Sequence, residues 1–379
     1  MRSARGVVIV VGLVGACTGP GPQGAREQAP AWQARPAGGA VPIDPGTLTA
    51  ELLDPAACAR CHPAIAAEWA TSRHALAWTN STFRTEYDAR PQAWCVNCHA
   101  PLTTQQAGLA AGDHRRADQG VDCATCHVRA GAIVSAQRGA ASPHATVVDP
   151  TFGTPAFCAD CHEFTFPVLD PRTGDALALT THPMQTTVSS FRAGPFAGEP
   201  AGCQACHGGG QGHAFPGAHA PAMLEAALEV AWCRRATAAG EVLGLAIANT
   251  GAGHAVPTGD IHRHAALRVW RSSAPELLTE VFLGRRFEDV AGGGKATVWD
   301  SSIGPGQTRR HELPVAALGG EPDESLNLEL VYVFIQSEFP RAHRLPAEPT
   351  THVPTAHVPT AHVIMRRRER VDALPACAP

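Results

Sequence analysis

The stretch "CARCHPAIAAEWATSRHALA", residues 58–77, sets Cys58 and Cys61 three positions apart, follows them at once with His62, and places a second histidine, His74, twelve residues further on. The same Cys-x-x-Cys-His unit recurs at 95–99, 123–127, 158–162 and 203–207. With 13 cysteines and 19 histidines in 379 residues, chance supplies about 0.02 copies of this unit. Five copies are therefore a chemical device, and they consume ten of the 13 cysteines.

Two thiols at this spacing can each add to one vinyl group of a haem, and the imidazole that follows is then placed under the ring to take the iron. Zinc sites also use Cys-x-x-Cys pairs, but they close tetrahedra with pairs of pairs and do not require a histidine after each second cysteine. Five units cannot pair off evenly, and disulfides would leave all five histidines unexplained. The pattern thus points to five covalently attached haem c groups. Their thioether residues are Cys58, Cys61, Cys95, Cys98, Cys123, Cys126, Cys158, Cys161, Cys203 and Cys206, and their proximal ligands are His62, His99, His127, His162 and His207. Five macrocycles share about 170 residues that hold few long apolar runs, so the expected core of this region is the haems themselves.

Between 50 and 260, seven histidines lie outside the units: His74, His114, His144, His182, His213, His219 and His254. Seven candidates are enough to give every iron a second imidazole, so only low-spin haem is expected. The assigned distal set is His74, His144, His213, His219 and His254, with His114 and His182 in reserve. If "PAIAAEWATSRHALA" is one helix, His74 stands about 18 Å along the axis from His62, too far to share one iron, so it should cap a neighbouring haem. His254, in "NTGAGHAVPTGD", would reach the haem region from a loop of the following domain.

The opening stretch, with its Cys-x-x-Cys-His, Trp and Ser-x-His-Ala, resembles the signature of the multihaem cytochrome c superfamily that includes the tetrahaem cytochrome of ammonia oxidation and hydroxylamine oxidoreductase. "WCVNCHAP", "GVDCATCH" and "FCADCHEF" resemble later motifs of that group, and "GHAVPTG" resembles a loop in β-domains fused to some members. The resemblance covers about 58–260 and implies periplasmic or cell-surface electron transfer, with His62 proximal and His74 distal. The chain departs from catalytic members in lacking a Cys-x-x-Cys-Lys unit, and it has only Tyr87 and Tyr332 to offer as a haem-crosslinking tyrosine.

The rest of the chain frames this block. Arg2 and Arg5 precede an apolar run at 6–16 that is too short to span a bilayer, which reads as an export signal. "VGAC" at 14–17 resembles a lipobox, which implies a lipid anchor on Cys17 and, with Thr18 rather than Asp next, an outer-membrane lipoprotein facing the periplasm or cell surface. Residues 18–48 are rich in Pro, Gly, Ala and Gln, as a flexible tether is. From about 222, short alternating apolar segments such as "EVLGLAIANTG", "HAALRVWRSS" and "LNLELVYVFI" favour an antiparallel β-sandwich.

The expected organisation is a signal at 1–17, the tether at 18–48, a pentahaem domain at 49–221 that is mainly α-helical and irregular, an immunoglobulin-like all-β sandwich at 222–345, and an extended tail at 346–379. In that tail the repeated Thr-Ala-His-Val-Pro at 349–363 and the charge run at 366–370 read as solvated. Cys233 and Cys377 are left as candidates for a disulfide between the first sandwich strand and the tail.

A formal charge of −4 gives no basic surface for nucleic acid. The expected function is an electron carrier working between redox partner proteins, with self-association of copies allowed for. Its rival is an oxidoreductase that keeps one iron open for a small nitrogen or sulfur compound.

Overall fold

Helix starts are written plainly around the units. Pro55 and Pro155 occupy first-turn positions, where a missing N–H costs nothing, in the helices Pro55–Ala59 and Pro155–His162. The Asp54 carboxylate accepts from the Ala56 N–H at 2.8 Å, and that of Asp122 accepts from the Thr125 N–H at 2.9 Å. Units two, three and five lie on Ala93–His99, Cys123–His127 and Gln204–His207. Each helix is a few turns at most, too short to be stable alone.

The computed structural model describes residues 42–136, 144–170, 172, 176–198, 202–209, 212–291, 294–321, 323–334 and 361–377. The expected signal, Cys17, most of the tether and the tail histidines His352 and His357 lie outside them. Among the described residues no helix is long and apolar enough to cross a membrane.

The haem-unit region is less purely helical than expected. Strands β1 (Val128–Arg129), β2 (Ala132–Ser135) and β3 (Thr146–Val148) form a small sheet, and β4 (Glu163–Leu169) pairs antiparallel with β5 (Ala176–Thr186). The side-chain core here is thin. One buried cluster holds Leu53, Leu102, Ala124 and Val128, and another holds Trp78, Val96, Ala100 and Ala117.

The C-terminal half packs differently. Strands β6 (Leu228–Thr237), β7 (Gly240–Asn249), β8 (His264–Arg271), β9 (Thr279–Asp289), β10 (Lys295–Asp300), β11 (Thr308–Pro314), β12 (Leu326–Val333) and β13 (Ala361–Glu369) form two antiparallel sheets, ordered β10-β9-β8-β12-β13 and β11-β7-β6. Period-two alternation turns Leu228, Val230 and Trp232 of β6, Leu243, Leu245 and Ile247 of β7, and Leu326, Leu328 and Leu330 of β12 into one shared core of 23 buried residues. Against two clusters of four in the haem-unit region, this half is self-sufficient.

The tail is not simply extended. Residues 361–369 form the edge strand β13 along β12, because Val363 and Ile364 have apolar neighbours to cover; the following "RRRE" stays exposed. Beyond it, Cys377 forms a disulfide with Cys233 of β6. The backbone reinforces this join, with the Arg234 N–H donating to the Pro375 carbonyl at 2.8 Å and the Cys377 N–H to that of Arg234 at 2.9 Å. The β-domain therefore includes residues past 345.

The expected long helix over 63–77 ends earlier, as Pro63–Thr71. Ser72 is buried and extended, and its hydroxyl accepts from the Ala75 N–H at 3.1 Å, which replaces the helix by a turn that carries His74. The His74 carbonyl accepts from Val121 N–H at 2.9 Å. Gly120 makes that approach feasible: its φ is +61°, and a β-carbon there would lie 2.5 Å from the His74 carbonyl oxygen.

Candidate metal centres

Four of the five unit histidines face one histidine from outside the units. His62 lies opposite His144 with ring centroids 6.4 Å apart, His162 opposite His74 at 6.2 Å, His127 opposite His213 at 6.1 Å, and His207 opposite His254 at 6.1 Å. Two imidazoles bonded through nitrogen to opposite sides of one ion, each at about 2 Å, have centroids about 6 Å apart. The planes differ by 55°, 56°, 23° and 9° in the same order, so the common quantity is the spacing and not a stacking geometry.

Nitrogen assignment agrees with ligation. Nδ1 of His99 donates to the Ala77 carbonyl at 2.6 Å, that of His127 to Val134 at 3.0 Å, that of His207 to Pro216 at 2.5 Å and that of His254 to Ala255 at 2.9 Å. A carbonyl can only accept, so each Nδ1 carries the proton and each Nε2 presents its lone pair. Burial first, and then His162 and His207, pushes the pKa of His74 down to about 4; burial, then His207 and His254, does the same to His162. Burial also lowers His99, His127 and His254. Neutral imidazole is the form a metal takes.

Distant segments bring these pairs together. Phe215 packs edge-on against His74 at 4.8 Å, and the His213 N–H donates to Glu68 Oε2 at 3.1 Å, which ties the loop after unit five to the helix after unit one. Glu163, next to His162, accepts from the Val188 and Ser189 N–H groups at 2.9 and 3.0 Å at the start of helix Thr187–Arg192. From that helix Ser190 Oγ accepts from the Ala255 N–H at 2.7 Å, beside His254. Asn249, at the end of β7, donates to the His254 and Ile303 carbonyls at 2.8 and 3.0 Å and accepts from the Ala252 N–H at 3.0 Å. Asn249→Ala is expected to cost about 2–4 kcal/mol by leaving these partners unpaired, and to loosen the segment that holds His254 opposite His207. Thermal unfolding and the low-spin haem fraction check the two effects.

The units are also ordered. The thiols of Cys58 and Cys123 lie side by side, as do those of Cys158 and Cys203, and Cys126 is a neighbour of Cys158. This strings units one, three, four and five in a row. Unit two joins beside unit four, since the turn that carries His74 also supplies the Ala77 carbonyl to His99. Of the ten unit cysteines, Cys61 and Cys206 are exposed, one in each end unit of the row.

His99 differs. Its ring contact is Phe83, stacked at 3.6 Å and 5°, and among the described residues no second imidazole faces it. The expectation that outside histidines seal every iron therefore does not extend to unit two. His219, assigned as a ligand from sequence, instead stacks on Phe334 at 4.1 Å and 8°. His114 lies 6.5 Å from Trp78, and His182 sits on β5. Phe83 and the carbonyl acceptors escaped the sequence reading because neither has a motif: a backbone oxygen has no side-chain signature.

These residues fit haem. Paired imidazoles at four of the sites would offer two nitrogen donors to the iron of a bound haem, which is the chemistry of the donor set that such a group takes. Two cysteine thiols precede each unit histidine in the chain, and the side-chain clusters around the units are small.

Residues 57–128 match the family described as cytochrome c554 and c-prime. No curated protein matches the chain. Among solved structures, a penta-heme cytochrome c552 from Thermochromatium tepidum is similar at 18% identity, covering 85% of this chain and 98% of that one with a TM-score of 0.57. The chain shares that fold, and the family match with the five Cys-x-x-Cys-His units supports a multihaem c-type cytochrome.

Proposed function

We propose that the chain is an exported pentahaem electron carrier of the superfamily it resembles in sequence, anchored by a lipid on Cys17 at the outer membrane, and working between redox partner proteins. The observation that carries this reading is the set of four imidazole pairs at 6.1–6.4 Å, each joining one unit histidine to one outside histidine. Bound haem supplies one-electron exchange between ferric and ferrous iron. The protein's own part is to hold the sites in a row, bury His74, His127, His162 and His254 so that their neutral form is favoured, and expose Cys61 and Cys206 at the two ends, where partners would dock. The strand order β11-β7-β6 against β13-β12-β8-β9-β10 supports the immunoglobulin-like reading of the fused domain, since consecutive hairpins widen one sheet as in variable-type sandwiches.

The second reading, an oxidoreductase with one open iron, is favoured by His99, which faces Phe83 and, among the described residues, no second imidazole. Mass spectrometry of the purified protein is expected to find five covalent haems, and its EPR spectrum four low-spin irons and one high-spin. Five low-spin irons would remove the open-iron reading; fewer than five haems would remove the pentahaem one.

A further inference from the structure

We propose that Phe83 is a positioning residue for unit two: its ring fixes the plane of the His99 imidazole, and with it the direction in which the Nε2 lone pair would meet the iron of a haem held by Cys95 and Cys98. This role rests on the haem reading, which the haem count tests separately.

The four paired units and unit two differ in what braces the imidazole. In each pair a second imidazole, brought in by a distant segment, stands across from the unit histidine at 6.1–6.4 Å. Among the described residues His99 has no such partner. Its Nδ1–H donates to the Ala77 carbonyl at 2.6 Å, which anchors one edge of the ring. That bond alone leaves the ring free to tilt, because the torsion turning an imidazole about its Cβ–Cγ bond has a broad well. Phe83 removes the freedom, since its ring lies face to face with that of His99 at 3.6 Å and 5°. Among the described residues no other unit histidine has an aromatic ring nearer than 4.9 Å, the distance of Phe152 from His127, and that ring is tilted by 40°.

Phe83 is itself held. It lies in the first turn of the helix Ser81–Ala89, where Asn80 Oδ1 accepts from its N–H at 3.0 Å. The buried Trp78 ring is 5.6 Å away, and Tyr87, one turn further on, stacks on Phe83 at 5.5 Å and 26°. The Arg84 guanidinium covers the Trp78 and Tyr87 rings at 4.8 and 5.3 Å and pairs with Asp88 of the same helix. Free to choose, aromatic pairs adopt offset or edge-on arrangements with wider centroid spacings, as Trp78 and Phe83 do at 56°. The closer, parallel stack on His99 is therefore imposed by the helix, and it leaves the imidazole one plane.

The experiment compares the haem-loaded wild type with Phe83→Leu and Phe83→Tyr, using resonance Raman spectroscopy of the ferrous protein and EPR of the ferric protein. An iron with one axial imidazole gives an iron–histidine stretching band that a paired iron does not, so the band reports unit two alone. The wild type is expected to show one narrow band. Phe83→Leu keeps apolar bulk but offers no plane, so it broadens the band at least about twofold, and Phe83→Tyr restores it. If the band is absent and all five irons are low-spin, the open-iron reading fails, and the g-values decide the role of Phe83, since they depend on imidazole orientation: one low-spin signal shifts in Phe83→Leu and returns in Phe83→Tyr. Band and g-values both unchanged in Phe83→Leu overturn the proposal. A broad or split band in the wild type also overturns it, which keeps the test open if Phe83→Leu fails to fold by circular dichroism. A wild type without haem on Cys95 and Cys98 overturns the proposal together with the pentahaem reading.

Discussion

Replacing both Cys233 and Cys377 with serine is expected to destabilise the β-domain by about 4–5 kcal/mol, since a cross-link closing a loop of this size removes that much chain entropy from the unfolded state. The two cysteines are 144 residues apart in sequence, near the upper end of what one disulfide can restrain. The staple also has a structural task. Cys377 follows β13 of the five-stranded sheet, whereas Cys233 lies on β6 of the three-stranded sheet, so the bond joins the two sheets across the ends of the chain segment that forms the domain. A loss of this size is a third or more of the stability of an ordinary domain. It should appear as a melting temperature lowered by about 10 °C or more, and reduction of the wild type should reproduce it. A change under about 1 kcal/mol would show that strand pairing alone holds the tail, through the Arg234 backbone bonds.

The second large effect is expected at His74. His74→Ala should convert the iron of unit four from low-spin to high-spin, raising the high-spin share from one in five to two in five, while leaving the haem count at five. The turn that presents His74 is held independently of its ring: Ser72 caps it, Val121 bonds its carbonyl, and the Trp69 indole N–H donates to the Val121 carbonyl at 2.9 Å. Removing the imidazole therefore deletes the ligand and leaves the backbone in place. A variant that stays at one high-spin iron, by EPR, would show that His74 does not face His162 across an ion.

How much of this was legible beforehand differs from one residue to the next. The units, their thiols and their proximal histidines follow from spacing alone. The alternation in "EVLGLAIANTG" and "LNLELVYVFI" marks β7 and β12 because period-two burial is written residue by residue. The end of the helix before His74 was less legible, since an alanine-rich run masks a stop that Ser72 and a glycine far along the chain impose. His219 sits in a loop as rich in Gly and Pro as that of His213, yet one faces a unit histidine and the other a phenylalanine.

The sequence by itself determined how many Cys-x-x-Cys-His units the chain has, which thiols and histidine each unit offers, and which half carries enough apolar alternation to fill its core with side chains. Those properties depend on neighbours within a few positions, where side-chain type and spacing are sufficient. Only the tertiary structure decided that His74 faces His162 of unit four, that His144 faces His62 of unit one from beyond unit three, and that among the described residues no second imidazole faces His99 of unit two. Each of these is a distance between segments far apart in the chain, set by how short helices and loops pack around one another, and no local pattern encodes it.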